Sequence, residues 1–342
     1  MNNDYLRVNS KDEEEGICTD TFEAKEEPVV EEKQNKPTLF SVLGIHRKGG
    51  MLSENLKVPD IRNAFPVLLI AVFLNLFLFF VAQMTMSAML LLIMALTSSL
   101  ILPLFTLYFV YGLNVMKNVS YVHIFGGFAI GLILYVLLDV VKNYSSELLF
   151  NEKWILWVFN RLIDDVALFF VAMLYVKFSK KDNIFAIVLL VTTVYGGFGA
   201  AKSMTGQIEQ LMTVVTFGGS GSNSQPTSAI LFSDYYFRKY SAGFFSSVAY
   251  YSIFLSFMFF FQSIICGGIV ALTSSPVRAD RGKESSVYLL LLLCCCMNLM
   301  VSFESTIVFF GTILKAVAFL VCAIVFLKMF NYLLSRANFS EP

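Results

Sequence analysis

The chain has 342 residues, 57% of them hydrophobic and 35 of them Phe, with a mean hydropathy of +0.69 and a formal net charge of zero. That is more apolar surface than a soluble core of this size can hide, which excludes an ordinary water-soluble globule and points to lipid as the solvent. No nucleic-acid partner is expected; the expected partners are the lipid bilayer, a small solute, and proteins that meet the N-terminal tail or the transmembrane helices.

The first segment is acidic. Residues 1–36 carry eleven Asp and Glu against five Lys and Arg, with almost no aromatics and no helical periodicity. Such a stretch reads as disordered, and the acidic cytosolic tail is set at 1–60. No basic n-region with a short apolar run opens the chain, so no cleavable signal peptide is expected and the first membrane helix directs insertion.

A transmembrane helix needs about 20 predominantly apolar residues. Spans are read at 65–86, 88–113, 122–141, 154–177, 184–203, 243–273, 286–303 and 307–330. The run 286–330 would measure about 67 Å as one helix, longer than any bilayer is thick, so it turns back near Ser302, Glu304 and Ser305. The expected fold class is all-α: a polytopic integral membrane helical bundle of about eight transmembrane helices over 61–332, followed by a cytosolic tail at 333–342.

Orientation follows from Lys and Arg in the short loops. Arg47, Lys48, Lys57 and Arg62 precede the first span, and Lys177, Lys180 and Lys181 follow the fourth. Arg278, Arg281 and Lys283 follow the sixth, and Lys328 and Arg336 come at the end. An even number of crossings puts all four groups on one side, with both termini cytosolic. Of the sequons at Asn118, Asn143 and Asn338, this topology leaves only Asn143 outside the cytosol, which makes it the glycosylation candidate. The largest non-cytosolic stretch is 204–242, with room for a short re-entrant or interfacial turn at 207–217. A plasma membrane or secretory-pathway membrane is the expected location.

The polar cluster that stands out is Arg161, Asp164 and Asp165, in the middle of the apolar run 154–178. Both carboxylates lie at helical spacing from Arg161, so an intrahelical ion pair is available. A charge at bilayer depth costs about 2.5–3.5 kcal/mol on insertion scales, so such a cluster marks either a solute or ion path or a polar knot between helices. Lys315 lies deep in the last span, where snorkelling along its helix competes with pairing to Asp164 or Asp165. Asp139, Lys202 and Glu304 are placed near span ends. Small residues at Gly126, Gly127 and Gly131 and at Gly196, Gly197, Gly199, Ala200 and Ala201 read as close helix contacts. Pro103 can kink the second span and free a carbonyl.

An enzyme is not expected. With only His46 and His123, neither a zinc site nor a Ser-His pair can be assembled, and no Walker loop or dinucleotide fingerprint occurs. The consecutive Cys294, Cys295 and Cys296 point about 100° apart in a helix and cannot converge on one metal. No cofactor or metal is expected. An intramembrane hydrolase relic built on the acidic pair is the weakest alternative.

From about residue 55 to 320 the order of features resembles the choline transporter-like family. Asp60, Phe65 and Phe73 match its polar lead into a Phe-rich first span. Lys180, Lys181, Asp182, Asn183, Ile184, Phe185 and Ala186 are similar to its basic loop before Ile-Pro-Phe-Ala, without the proline. Arg238, Ser241, Gly243, Ser246, Ser247 and Ser252 resemble its Arg-led Ser/Gly-rich span, and Phe310, Gly311 and Lys315 its aromatic-Gly step before a lysine. The resemblance implies a divergent or reduced member, with fewer spans than the family's ten or so.

The expected function is therefore transport of a small polar or cationic solute of choline's kind, with Arg161, Asp164, Asp165 and Lys315 on the path. The alternative is a non-catalytic membrane scaffold or subunit of a larger complex. A transporter's cluster lines a cavity open to water; a scaffold's is sealed against another helix.

Overall fold

The computed structural model describes residues 64–85, 87–114, 118–148, 153–181, 183–218, 234–274, 294–296 and 308–336. The acidic tail, the turn near Glu304 and the Gly/Ser-rich run at 219–226 lie outside the described residues, as does the seventh span apart from a helical fragment at 294–296.

Every regular element among the described residues is helical: α1 (Ala64–Thr85), α2 (Ala88–Leu113), α3 (Tyr121–Leu148), α4 (Lys153–Ser179), α5 (Ile184–Gly218), α6 (Asp234–Ala249), a π-helical turn (Tyr250–Leu255), α7 (Ser256–Ser274) and α8 (Val308–Arg336). The π turn joins α6 and α7 without a break in the rod. Among the described residues, six segments are long and apolar enough to cross a membrane, in α1, α2, α3, α5, the α6–α7 rod and α8. They coincide with six of the eight expected spans. The expected fourth span is also helical, as α4, but its charged residues set it apart in composition.

Local sequence explains several boundaries. Lys180 adopts a left-handed backbone (φ 48°) directly after α4, a conformation that ends helices. Three residues on, Asn183 Oδ1 accepts the Phe185 N–H at 2.9 Å and caps the start of α5. The hairpin between α1 and α2 is tied by Thr97 Oγ1, which donates to Asn75 Oδ1 at 2.8 Å.

α5 is the axis of the bundle. It packs against α2, α3, α4, α6, the π turn and α7, and 94% of its most apolar stretch is buried, against 6% for α1. A helix this enclosed needs small residues where neighbours cross it. A Cβ on Gly131 of α3 would fall 2.1 Å from the Val194 carbonyl oxygen, and one on Gly197 of α5 2.0 Å from the Phe128 carbonyl oxygen. The glycines thus bring the α3 and α5 backbones into direct contact, which accords with the close-contact reading of the small-residue stripes. α8 is attached to α7 by aromatic rings, with Phe261 and Phe326 centroids 4.9 Å apart.

Several expected boundaries move; α3 runs on to Leu148 and α8 to Arg336, past the expected 141 and 330. α5 continues to Gly218, so 207–217 is helix and not a re-entrant turn, and α6 begins at Asp234, ahead of the expected 243. Buried polar residues in both stretches lower the hydropathy without ending the helix.

Candidate functional site

α4 carries one of its charges inward. Asp164 is 2% exposed and faces the seam with α3 and α5. Its Oδ2 receives Lys202 Nζ of α5 at 3.2 Å, and its Oδ1 pairs with Lys142 Nζ of α3. Both lysine side chains are largely covered, so one carboxylate ties three helices. Lys202 Nζ also lies 5.8 Å and 5.6 Å from the ring centroids of Phe198 and Phe259, within cation-π range. Beside the triad lies the buried Tyr135 of α3, with Asp139 of the same helix and Thr205 and Glu209 of α5 close by.

Asp164 is met by Lys142 and Lys202, which reach it from the neighbouring helices; the expected intrahelical pair of Arg161 with Asp164 or Asp165 falls on a side chain outside the described residues. Asp165 points elsewhere, since successive helical residues diverge by about 100°. Lys315 sits with Nζ 5.1 Å from the Tyr250 ring centroid, on an aromatic face. Asn143 is exposed, but it lies within α3 and not in a loop.

Lys202 was placed at a span end, yet α5 runs sixteen residues beyond it. Lys142 drew no attention because it follows the apparent end of the third span. The only sequence signal for either was its spacing from a carboxylate on another helix, which no local pattern reveals.

A second polar group lies further along α5. Gln207 is fully buried; its Oε1 accepts Ser98 Oγ of α2 at 2.9 Å, and its Nε2 donates to Ser203 Oγ at 3.0 Å and to Ser252 Oγ in the π turn at 2.8 Å. All these amide bonds are made inside the bundle, where water is scarce and an unmade bond is costly. π-helical turns often mark functional positions. Ser98 and Ser252 also border a cavity of about 200 Å³ between α1, α2 and the α6–α7 rod, lined mostly by apolar residues such as Leu68, Met94, Ile101 and Phe257.

Together these features define a class: an α-helical membrane-type bundle with a buried axial helix whose polar residues are bonded to its neighbours. Comparison with protein-family models, with curated proteins and with solved structures gives no match to this chain.

Proposed function

We propose that this chain is a multi-pass transporter for a small polar or cationic solute of choline's kind, and that the seam of α5 with α2 and α7 is its path. The observation that carries this reading is the set of buried polar residues on α5: Thr192, Ser203 and Gln207 are each no more than 1% exposed. From Thr192 to Gln207 they cover about 22 Å of helix rise, most of a hydrocarbon core about 30 Å thick. Polar groups at such depth are expensive, and a column of them in an axial helix suits the passage of a polar solute. The Tyr250 face supports cation recognition, because it already accommodates the ammonium of Lys315.

In this proposal the bundle has eight crossings, with α4 as the fourth and both termini cytosolic. Neutralisation by Lys142 and Lys202 lowers the cost of carrying Asp164 across the bilayer on α4. The test is uptake of radiolabelled choline by liposomes that contain the purified chain. Saturable accumulation above that of protein-free liposomes, reduced by Gln207→Leu, is expected. Uptake no greater than the protein-free background, for choline and for a panel of other small cations and zwitterions, would reject transport.

A second reading draws on the closure of the triad. Asp164 is sealed by two lysines, as suits a scaffold in which the charges lock helices together. Gentle solubilisation separates the two: stoichiometric unrelated partners favour the scaffold, and recovery of the chain alone or as a homo-oligomer favours the transporter.

A further inference from the structure

Where Pro103 interrupts α2, a cavity of about 10 Å³ opens in the bundle core, lined by the proline with Thr106, Thr192, Tyr195, Ser256 and Ser263 among others. That is room for about one water-sized particle. Four of the hydroxyls have committed their single proton to their own chain. Thr106 Oγ1 donates to the Pro103 carbonyl at 2.7 Å, Thr192 Oγ1 to the Val188 carbonyl at 2.8 Å, Ser263 Oγ to the Phe260 carbonyl at 2.8 Å, and Ser256 Oγ to the Tyr251 carbonyl at 3.2 Å. What these side chains have left to offer is lone pairs. Thr192 Oγ1 of α5 and Ser263 Oγ of α7 lie 3.4 Å apart, a long contact in which Thr192 can donate only by giving up the Val188 carbonyl, so a cation shared by the two oxygens competes with no more than a weak hydrogen bond.

Pro103 has no N–H, so the α2 ladder lacks one hydrogen bond beside the cavity. Ser256 directly follows the π turn, the second break in helical register, so both interruptions meet at one cavity. Among the described residues that line it none is acidic. Neutral hydroxyl and carbonyl oxygens are hard donors suited to alkali cations, whereas a divalent ion would keep most of its charge uncompensated.

We propose that this cavity binds one dehydrated monovalent cation of sodium's size, held by the hydroxyl oxygens of Thr106, Thr192, Ser256 and Ser263. The site does not depend on the transport reading, although a bound cation beside the α5 seam would be placed to couple to a solute there.

The test is binding of radioactive sodium to the full chain in lipid nanodiscs, with thermal unfolding followed in NaCl and in KCl at equal ionic strength. Saturable binding is expected, displaced by unlabelled sodium or lithium and not by potassium at the same concentration, with a higher unfolding temperature in NaCl. The double variant Thr192→Val, Ser263→Ala should lose about tenfold or more in sodium affinity, while Thr193→Val, whose side chain is not among those lining the cavity, keeps it. Should the double variant fail to fold, Ser256→Ala is read in the same way. A folded wild-type chain with no sodium-selective binding or stabilisation would overturn the proposal and leave the cavity as a water site; so would undiminished binding in the folded variants. Because uptake is not the readout, failure here leaves the transport reading standing, and failure of uptake leaves the cation site standing.

Discussion

Lys202 of α5 reaches the Asp164 carboxylate of α4 at 3.2 Å, while Lys142 of α3 holds the other oxygen. Removing the carboxylate leaves two covered ammonium groups facing each other. Asp164→Ala is expected to destabilise the bundle by about 3–5 kcal/mol, and the triple replacement Lys142→Met, Asp164→Leu, Lys202→Met to recover most of that loss. Thermal unfolding read by a thiol-reactive dye is suitable, because Cys266 and Cys322 are buried and free until the bundle opens. A single variant as stable as wild type would show that the triad does not hold the helices together.

Gly131 has no room to grow. With the Val194 carbonyl oxygen 2.1 Å from where a Cβ would stand, the obstruction is backbone and cannot rotate away. Gly131→Ala should cost about 1–3 kcal/mol through separation of α3 and α5, and Gly131→Leu should abolish the folded fraction on size-exclusion chromatography. Gly243, with nothing near its would-be Cβ, should accept alanine with little change.

Gln207 connects α5 to α2 and to the π turn through its amide. Gln207→Leu fills similar volume but removes three hydrogen bonds. At roughly 0.6 kcal/mol each in a membrane interior, the expected loss is about 2 kcal/mol, measured by the same unfolding assay. Ser98→Ala and Ser252→Ala should each give a part of that loss, and their effects in the Gln207→Leu background should largely vanish.

Lys315 and Tyr250 should be energetically coupled across α8 and the π turn. A double-mutant cycle with Lys315→Met and Tyr250→Leu is expected to return about 0.5–2 kcal/mol of interaction, with Tyr250→Phe retaining most of it. Additive single effects would mean that the ammonium contributes nothing at the ring.

Asn143 offers a test of topology. Its position inside α3, one residue after the buried-triad residue Lys142, makes it a poor loop-type acceptor. Endoglycosidase treatment of the native chain should leave its gel mobility unchanged. A sequon inserted at residue 222, between α5 and α6, should be glycosylated if both termini are cytosolic. An unmodified insert would reverse the proposed orientation.

Much of the scaffold was legible from apolar run length alone. A segment such as 88–113 has no way to satisfy its backbone in lipid except as a helix, so its ends could be read to the residue. Where polar side chains enter a helix, that reading fails. The stretch 204–218 looked like a loop because Lys202, Ser203, Gln207 and Glu209 lower its hydropathy; in the structure Ser203 and Gln207 are buried among partners from other helices, and the helix simply continues.

The sequence by itself determined that this chain is built of apolar helices, that charges enter the bundle at Asp164 and Asp165, and that glycines let helices approach. Hydropathy and residue size are properties of each residue alone, so one dimension suffices to read them. Only the tertiary structure decided that α5 is the axis, that Lys142 and Lys202 neutralise Asp164, and that Lys315 rests on Tyr250. Those are pairings between residues 22 to 65 positions apart, and their geometry depends on how helices cross, a quantity that no local pattern encodes.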